Sequence, residues 1–262
     1  VVAHRRTIKD FRYEISGSVS YVKNEIVDLD GQEVISGVRI LKEGYPIDAY
    51  YIYKADGIYQ STDEIANGTP LSVNVRPGYL KYWDKTGDGQ INGDDRIITG
   101  SSIPSYNYSF NLNVGYKNLS LTAFFQGVQG INIYPTLNMI YPFNNGAGVT
   151  KEWMTDSWTP ENPNARLPLL TTTTATENYV SSTFWLRDAS YLRLKNVQLK
   201  YDFPETLISR LSLKRLSVFA NAENLLTFSK FDHFDPEKNI QNNNLYEYPS
   251  LKTYSFGLNV TF

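Results

Sequence analysis

Strict alternation of apolar and polar residues is the feature that most constrains the fold of this chain. The clearest case is residues 106–117, Y-N-Y-S-F-N-L-N-V-G-Y-K, in which aromatic or aliphatic side chains occupy every second position up to Tyr116. A period of two predicts a β-strand with one apolar and one polar face. Asn118 follows, and the apolar pattern returns at once in residues 119–127, so the two segments are predicted to form a tight hairpin.

The same pattern recurs along the chain and predicts an all-β, antiparallel fold. We predict seven strands, at about residues 11–21, 47–59, 106–117, 119–127, 189–203, 214–228 and 251–262. Aromatic residues, including 20 tyrosines, make up 14% of the chain, and they favour β structure. Tyr and Trp also suit positions between an apolar phase and water.

The connections between the predicted strands are of two kinds. Two of them are short or modest, at 117–118 and 204–213. Three are long: 60–103, 128–183 and 229–250. Counting strands back from the C-terminal end places all three long loops on one side of the sheet, and leaves 23–46 as a longer connection on the other side. Short turns on one side and long loops on the other are typical of a transmembrane β-barrel.

The polar face of the predicted strands is rich in amides and hydroxyls. A sheet face in bulk water usually carries more Lys and Glu, so we interpret this face as the lining of a wet lumen. Its predicted members are Asn111, Asn113, Gln126, Asn196, Gln198, Lys200, Asp202 and Asn259. An ordinary amphipathic sheet is the alternative interpretation of the same pattern.

Composition excludes several classes of function. The 25 Lys and Arg residues against 27 Asp and Glu leave a net charge of −2, which gives no basic surface for nucleic acid. Cysteine is absent and histidine occurs twice, which argues against thiol chemistry and a His-based metal site. No apolar run reaches the roughly 18 residues of a membrane helix. No nucleophile elbow, phosphate loop or zinc signature is present. A paired-carboxylate glycosidase stays open as an alternative, because the sequence does not show which carboxylates meet in space, but no feature of the sequence supports it.

Residues 84–95, D-K-T-G-D-G-Q-I-N-G-D-D, approximate a twelve-residue calcium loop. The ligands at the spacing of that loop are Asp84, Asp88, the carbonyl of Gln90, Asn92 and Asp95. Thr86 and Asp95 depart from the pattern, because Asp or Asn is usual at position three and Glu at position twelve. Two interpretations stay open. One is a Ca²⁺ site, with no other cofactor required; the other is a tight Asp/Gly turn held by side-chain-to-backbone hydrogen bonds.

Aromatic residues in the long loops are candidates for binding substrate, because exposed rings can stack on sugar rings. This reasoning predicts a substrate-binding role for Trp83, Tyr134, Tyr141, Trp153 and Trp158. For each of these rings the alternative is that it packs the loops against one another. Asp232, His233 and Asp235 form a further polar candidate, for which a hydrogen-bonded surface cluster is the simpler interpretation.

Several motifs in a fixed order resemble those of the SusC/RagA-type TonB-linked outer-membrane transporters. Residues 44–60, G-Y-P-I-D-A-Y-Y-I-Y-K-A-D-G-I-Y-Q, are similar to a signature of that family, and P-G-Y-L-K-Y-W-D at 77–84 resembles its P-G-D-L-K-Y-x-D. Further matches are F-F-Q-G-V-Q-G at 124–130, A-S-Y-L-R-L-K-N at 189–196 and N-L-L-T-F at 224–228. The resemblance covers essentially the whole chain.

The resemblance implies a fold as well. Residues 1–262 would be the C-terminal part of the barrel, about seven strands of a 22-stranded transmembrane β-barrel with long extracellular loops. The plug domain and the upstream strands would be absent, so we expect Val1 to be a cut and Phe262 a true C-terminus. The alternating residues of the last strand would face lipid and, with the terminal aromatic, supply the signal for barrel assembly: Tyr254, Phe256, Leu258, Val260 and Phe262.

The resemblance finally implies a function, which is TonB-dependent import of nutrients across the outer membrane of a Gram-negative, Bacteroidetes-type bacterium. A transporter breaks no bond in its substrate, so the resemblance also implies that the chain is not an enzyme. The cargo would usually be oligosaccharides and sometimes peptides. The implied partners are a SusD-like surface lipoprotein, TonB through the missing N-terminal part, the remaining barrel and plug, and outer-membrane lipid, with no nucleic acid. A secreted, soluble glycan-binding β module with a dockerin-like loop at 84–95 is the alternative, and detergent dependence would separate the two.

Overall fold

Strands dominate the chain in a computed structural model, which describes residues 1–135, 141–146, 148–172, 177–231, 234–238 and 248–262. The strands are β1 (Val2–Ile8), β2 (Phe11–Tyr21), β3 (Val34–Ser36), β4 (Arg39–Leu41), β5 (Ala49–Tyr53), β6 (Ala55–Ile58), β7 (Leu80–Tyr82), β8 (Arg96–Ser101), β9 (Tyr106–Tyr116), β10 (Leu119–Gln129), β11 (Asn132–Ile133), β12 (Arg187–Asp188), β13 (Tyr191–Asp202), β14 (Arg215–Ser229) and β15 (Thr253–Thr261). The α-helices are α1 (Thr62–Ala66), α2 (Lys151–Thr155) and α3 (Glu205–Ile208). Short 3-10 turns occur at Gly93–Asp95, Asn144–Gly146, Glu177–Tyr179 and Ser209–Leu211. Within these ranges no helix is both long and apolar enough to cross a membrane.

Seven strands form one antiparallel sheet, which we call the wall. Their order in space is β1-β2-β9-β10-β13-β14-β15. Strands β2, β9 and β10 have 11 residues each, which is the length that a tilted strand needs to cross a bilayer. In the described part of the chain β1 pairs only with β2, and β15 only with β14, so the sheet is open at both edges. The prediction of an all-β, antiparallel fold is confirmed.

The register of the wall gives it two chemically different faces. On the apolar face Phe110 of β9 lies opposite Phe125 of β10, with their ring centroids 6.0 Å apart. On the polar face hydroxyls and amides meet across the strands, as in the 2.7 Å contact between the Oγ atoms of Ser18 and Ser109. Cross-strand pairs of this kind are the unit of sheet stabilisation. The two faces are those that alternation predicts.

A β-bulge at Lys195 shifts the phase of β13. Asn196 lies opposite Phe124 of β10, whereas Leu194 lies opposite the very next residue, Phe125. A bulge inserts one extra residue into one strand of the pair. Because of this residue, Arg193 and Asn196 lie on the same, polar face of the wall although they are three positions apart in the sequence.

The connections between wall strands fall into two groups, one at each end of the strands, which we call the short-turn rim and the long-loop rim. At the short-turn rim lie the connections 9–10, 117–118 and 203–214, the last of which contains α3. These turns contact one another, since Lys117 N donates to Asp10 O at 3.0 Å and Asp202 N donates to Asn118 O at 2.9 Å. At the opposite, long-loop rim lie the connections 22–105, 130–190 and 230–252.

The predicted number of wall strands agrees with the structure, but the predicted strand at 47–59 was wrongly assigned to the wall. That segment forms β5, in the separate sheet β3-β4-β5-β8, and β6, which pairs with β7. Tyr50 and Ile52 of β5 are fully buried, so the apolar residues of this segment pack into a loop core and not against lipid. The seventh wall strand is β1, and residues 23–46 therefore belong to the long-loop rim, not to the short-turn side where the strand count placed them.

Candidate functional site

The described residues of the connections 22–105 and 130–190 fold together above the long-loop rim, and we call them the outer loop assembly. Backbone hydrogen bonds join the two connections: Tyr53 N donates to Ser181 O at 2.9 Å, and Thr183 N donates to Tyr53 O at 2.8 Å. Asn178 adds a buried link, because its Oδ1 accepts from Leu80 N at 2.8 Å and its carbonyl accepts from Trp185 Nε1 at 2.8 Å. Pairing of this extent makes the loops a folded unit.

An aromatic core lies at the centre of the outer loop assembly. Trp185 stacks on Trp153 with ring centroids 6.2 Å apart, and Tyr141 packs edge-on against Trp185 at 4.8 Å. Tyr50 belongs to the same cluster and donates its hydroxyl to Asn132 O at 3.0 Å. Burial raises the pKa of Tyr50 to about 12, with the nearby Arg39 acting in the opposite direction. This core holds the long loops in place over the wall.

The aromatic residues predicted to bind substrate occupy two kinds of position. Tyr134, Trp153 and Trp158 are buried and Tyr141 is half-buried, so the structure gives these four rings the packing role that was the alternative. Trp158, for example, donates its Nε1 to Gln60 Oε1 at 2.7 Å. A substrate-binding role for these four rings stays a prediction.

Trp83 differs from the other four, because 41% of the residue is exposed. Its ring lies 4.7 Å from Lys54 Nζ, measured to the ring centroid, which is a cation–π contact. Its backbone N donates to Lys54 O at 3.0 Å, which ties it to the start of β6. Of the five predicted rings, Trp83 is therefore the one placed to meet a ligand from outside the assembly.

Asp84 and Asp95 converge in the candidate calcium loop. Asp84 accepts the backbone N–H of Gly87 on Oδ1 at 2.6 Å and that of Gly89 on Oδ2 at 2.9 Å. The hydroxyl of Thr86 lies 3.3 Å from Asp84 Oδ1 and 3.0 Å from Asp95 Oδ1. A hydroxyl has one proton, so it can donate to only one of these two carboxylates at a time.

Asp95 is the buried member of this loop. Its Oδ2 accepts Asn92 N at 2.8 Å and its Oδ1 accepts Thr86 N at 3.1 Å. The hydrogen bond from Asn92, opposed by burial and supported by the bonds from Thr86, holds the pKa of Asp95 below its ordinary value. Asp88 and Asn92 likewise cap the N–H groups of Gln90 and Asp94. The hydrogen bonds of the Asp/Gly-turn interpretation are thus present, and the calcium interpretation stays a prediction.

In the described ranges, the loop 84–95 included, no group of three or more His, Cys, Asp or Glu is placed to hold a metal ion. Within 84–95 the two carboxylates that converge, Asp84 and Asp95, could supply the acidic ligands for one Ca²⁺. Asp88, Asn92 and the Gln90 carbonyl could supply the remaining oxygens. A site built in this way would require Thr86 to give up its hydrogen bond with one carboxylate.

A buried charge network on the polar face of the wall was missed by sequence reasoning. Arg193 of β13 forms an ion pair with Asp235, and their side chains are 4% and 6% exposed. Asp235 was predicted to be part of a hydrogen-bonded surface cluster; it is hydrogen-bonded but buried, and Asp232 and His233 lie outside the described residues. The motif Y-L-R-L-K-N signalled a family resemblance, but nothing in it indicated a partner for Arg193.

Asp235 is strongly acidic in this network. Burial raises the pKa of its carboxyl, but hydrogen bonds from Arg193 and from the N–H groups of Ser250 and Glu237 outweigh burial and lower the pKa to about 2. The carboxylate is therefore ionised throughout the neutral range, and the network with Arg193 stays charged there.

The residues predicted to form the assembly signal lie on the apolar face of the last strand. Phe256 lies opposite Ala220 and Leu258 opposite Val218, in register with the apolar row of β14. The five side chains of the set are exposed on this face: Tyr254, Phe256, Leu258, Val260 and Phe262. This position suits contact with lipid, whereas recognition by the barrel-assembly machinery stays a prediction.

Comparison with known proteins gives a consistent result, although no family model matches the chain. The chain is 30% identical to TonB-dependent receptor P3 of Formosa agariphila, over 98% of this chain and 27% of that protein. It is 27% identical to TonB-dependent receptor SusC of Bacteroides thetaiotaomicron, over 97% of this chain and 25% of that protein. A solved chain of the RagAB peptide transporter superposes with a TM-score of 0.78 at 25% identity, over 99% of this chain and 28% of that chain.

The wall, its sorted connections and these matches define the class as that of the TonB-dependent receptors. Within this class, the chain is part of a SusC/RagA-type TonB-dependent transporter. It spans only about a quarter of the length of the curated relatives that it matches, 27% of one and 25% of the other. Such receptors are not enzymes, which confirms the prediction that the chain is not an enzyme.

Proposed function

We propose that this chain forms part of a nutrient importer in the outer membrane of a Gram-negative, Bacteroidetes-type bacterium. The sorting of the wall connections carries the proposal, since 9–10, 117–118 and 203–214 lie at one rim and the long connections lie at the other. In outer-membrane barrels short turns face the periplasm and longer loops face outward. On this basis the outer loop assembly meets the nutrient, and the polar face of the wall lines the lumen.

The partners that we propose follow from the open wall and from the relatives. Unpaired strand edges at β1 and β15 would be costly in lipid, so the remaining barrel strands and the plug are required to complete the structure. The matches to SusC and to the RagAB transporter support a SusD-like surface lipoprotein above the outer loop assembly and TonB as the source of energy. Outer-membrane lipid would cover the apolar face.

Oligosaccharides are the cargo that we propose first, and peptides are the second candidate. The exposed ring of Trp83 supports sugar binding, because an aromatic face can stack on a sugar ring. The similarity to a peptide transporter, with a TM-score of 0.78, favours peptides. The two proposals differ in which class of molecule the intact transporter takes up, so an uptake experiment separates them.

Cells carrying the intact transporter are expected to take up oligosaccharides by a saturable process that stops when TonB is deleted. Trp83→Ala is expected to weaken oligosaccharide binding, measured by titration calorimetry on the purified transporter, because the exposed ring is lost. Tyr45→Ala, at a ring of similar exposure on another part of the assembly, is the matched control. Uptake of peptides alone would overturn the proposal that the cargo is an oligosaccharide. Uptake of oligosaccharides and peptides at an unchanged rate without TonB would overturn the proposal of TonB-dependent import.

Calcium binding by residues 84–95 is a second proposal, supported by the convergence of Asp84 and Asp95 on the hydroxyl of Thr86. Titration with CaCl₂ is expected to release or absorb heat at submillimolar concentration in the wild type. Asp84→Asn is expected to abolish this signal, because it removes one of the two converging charges. No heat up to millimolar calcium in the wild type would leave the Asp/Gly turn as the complete description of the loop.

A further inference from the structure

The guanidinium of Arg193 uses all three of its nitrogens on the polar face of the wall. Nε donates to Thr227 Oγ1 of β14 at 2.9 Å, which locks the side chain along the sheet. Nη1 donates to Glu237 Oε2 at 2.5 Å, and Nη2 is paired with Asp235 Oδ1. The wall thus fixes the planar guanidinium through Nε, and its two Nη atoms pair with acidic residues of the connection 230–252.

Residues 234–238, which we call the strap, contain the two acidic partners of this guanidinium. Further hydrogen bonds and an ion pair hold the same residues. Lys195, the bulge residue of β13, pairs with Glu237 Oε1. Asp235 Oδ2 also accepts Ser250 N at 2.7 Å, and its Oδ1 accepts Glu237 N at 3.1 Å. Two basic groups on the wall thus face two acidic groups on the strap, and the network is neutral as a whole.

An aromatic contact anchors the N-terminal end of the strap. Phe234 packs against Phe231, with ring centroids 5.8 Å apart, at the edge of a small core that includes Ile131. Beyond Phe234 the strap does not pack flush on the wall. A cavity of about 440 Å³ lies there, and its lining includes Thr227, Ser229, Phe231, Phe234, Pro236 and Pro249. The charged network, more than apolar packing, therefore determines where the rest of the strap lies.

We propose that Arg193, Lys195, Asp235 and Glu237 form an electrostatic latch that keeps the strap against the inner face of the wall, where it narrows the lumen at the long-loop rim. The proposal rests on the proposed function in one respect, which is that the polar face lines the lumen. Removing one partner of a buried ion pair leaves the other charge buried without compensation, which is strongly unfavourable. Neutralising Arg193 should therefore release the strap and expose its buried face.

Thiol labelling tests the latch in the intact transporter. This chain contains no cysteine, so Pro236→Cys introduces a single thiol into this part of the transporter, at a buried position of the strap, and the transporter without this substitution gives the background labelling. In outer membranes, Arg193→Met is expected to raise the rate of maleimide labelling at this position on the order of tenfold or more, because the acidic pair loses its main counter-charge. Arg193→Lys is expected to give an intermediate rate, since it keeps the charge but loses the fork geometry.

Arg210→Met is the matched control, because Arg210 is exposed in the 203–214 connection at the opposite rim. It is expected to leave the labelling rate unchanged. If Arg193→Met fails to fold, Glu237→Gln provides the second variant, since it removes the partner of Lys195 and keeps the pair between Arg193 and Asp235. Labelling of either folded variant within twofold of the reporter alone overturns the latch. The readout needs no import, so this outcome is distinct from failure of the proposed function.

Discussion

Replacing Phe110 with arginine is expected to lower the free energy of unfolding of the membrane-embedded transporter by about 2–4 kcal/mol. Phe110 lies near the middle of β9 on the apolar face, is 38% exposed and packs against Phe125. The substitution would place a charge in the hydrocarbon region and remove the ring contact. Urea titration of the refolded protein in phosphatidylcholine vesicles measures the loss.

The control for this variant is the neighbouring residue on the same strand. Asn111 lies on the polar face, opposite Ser16 and Phe124, so Asn111→Arg places the same charge in the lumen. A change of less than about 1 kcal/mol is expected there, as for substitutions away from the lipid face. Equal losses at both positions would show that the two faces do not differ in environment, and the proposed lipid and lumen sides would be wrong.

Gly78→Ala is expected to destabilise the outer loop assembly by about 2–5 kcal/mol, through backbone strain and overpacking together. Gly78 has a φ of +92°, and a Cβ at this position would lie 2.4 Å from Trp158 Cε3 and 2.7 Å from Leu169 Cβ. Its backbone has little freedom to move, since Gly78 N donates to Tyr59 O and Gly78 O accepts from Leu169 N, both at 2.7 Å. Hydrogen exchange of the Leu169 amide reports the free energy of local opening.

Gly31→Ala separates the two causes. Gly31 has a φ of +70° and no atom within 4 Å of an added Cβ, so alanine there introduces backbone strain without a clash. The difference between the two variants measures how firmly Trp158 and Leu169 are held against Gly78. If Gly78→Ala has no larger effect than Gly31→Ala, both side chains move aside easily, and the packing role of Trp158 loses its support.

The alternation of apolar and polar residues predicted those wall strands that have one apolar and one polar face. β9 alternates throughout and β10 alternates from Leu119 to Ala123, because one face of the sheet is apolar and the other carries polar groups. β1 was missed because His4 and Arg6 stand in the row of the apolar face, opposite Ile15 and Tyr13, and so break the alternation. β5 was assigned to the wrong sheet, because an apolar strand in a loop core has the same local sequence as one in a membrane.

The candidate site was less accessible to sequence reasoning, because burial of its residues depends on distant contacts. Trp158 is held by Gln60, which is 98 positions away in the sequence. Arg193 and Asp235 are 42 positions apart, and the intervening bulge at Lys195 decides that Arg193 and Asn196 share a face. No local pattern encodes such pairings, and the resemblance to a family supplied the function but not these contacts.

The bulge at Lys195 has a consequence for how this strand can change. Deleting Lys195 would restore continuous pleating to β13 and leave Arg193 on the polar face, because it removes the one extra residue of the bulge. One further residue in the pleat there would instead turn every side chain on the Tyr191 side to the opposite face, and Arg193 would project from the apolar face, away from its acidic partners. An insertion in this part of β13 is therefore tied to the strap, and the two segments should be exchanged together when such barrels are recombined into chimeras.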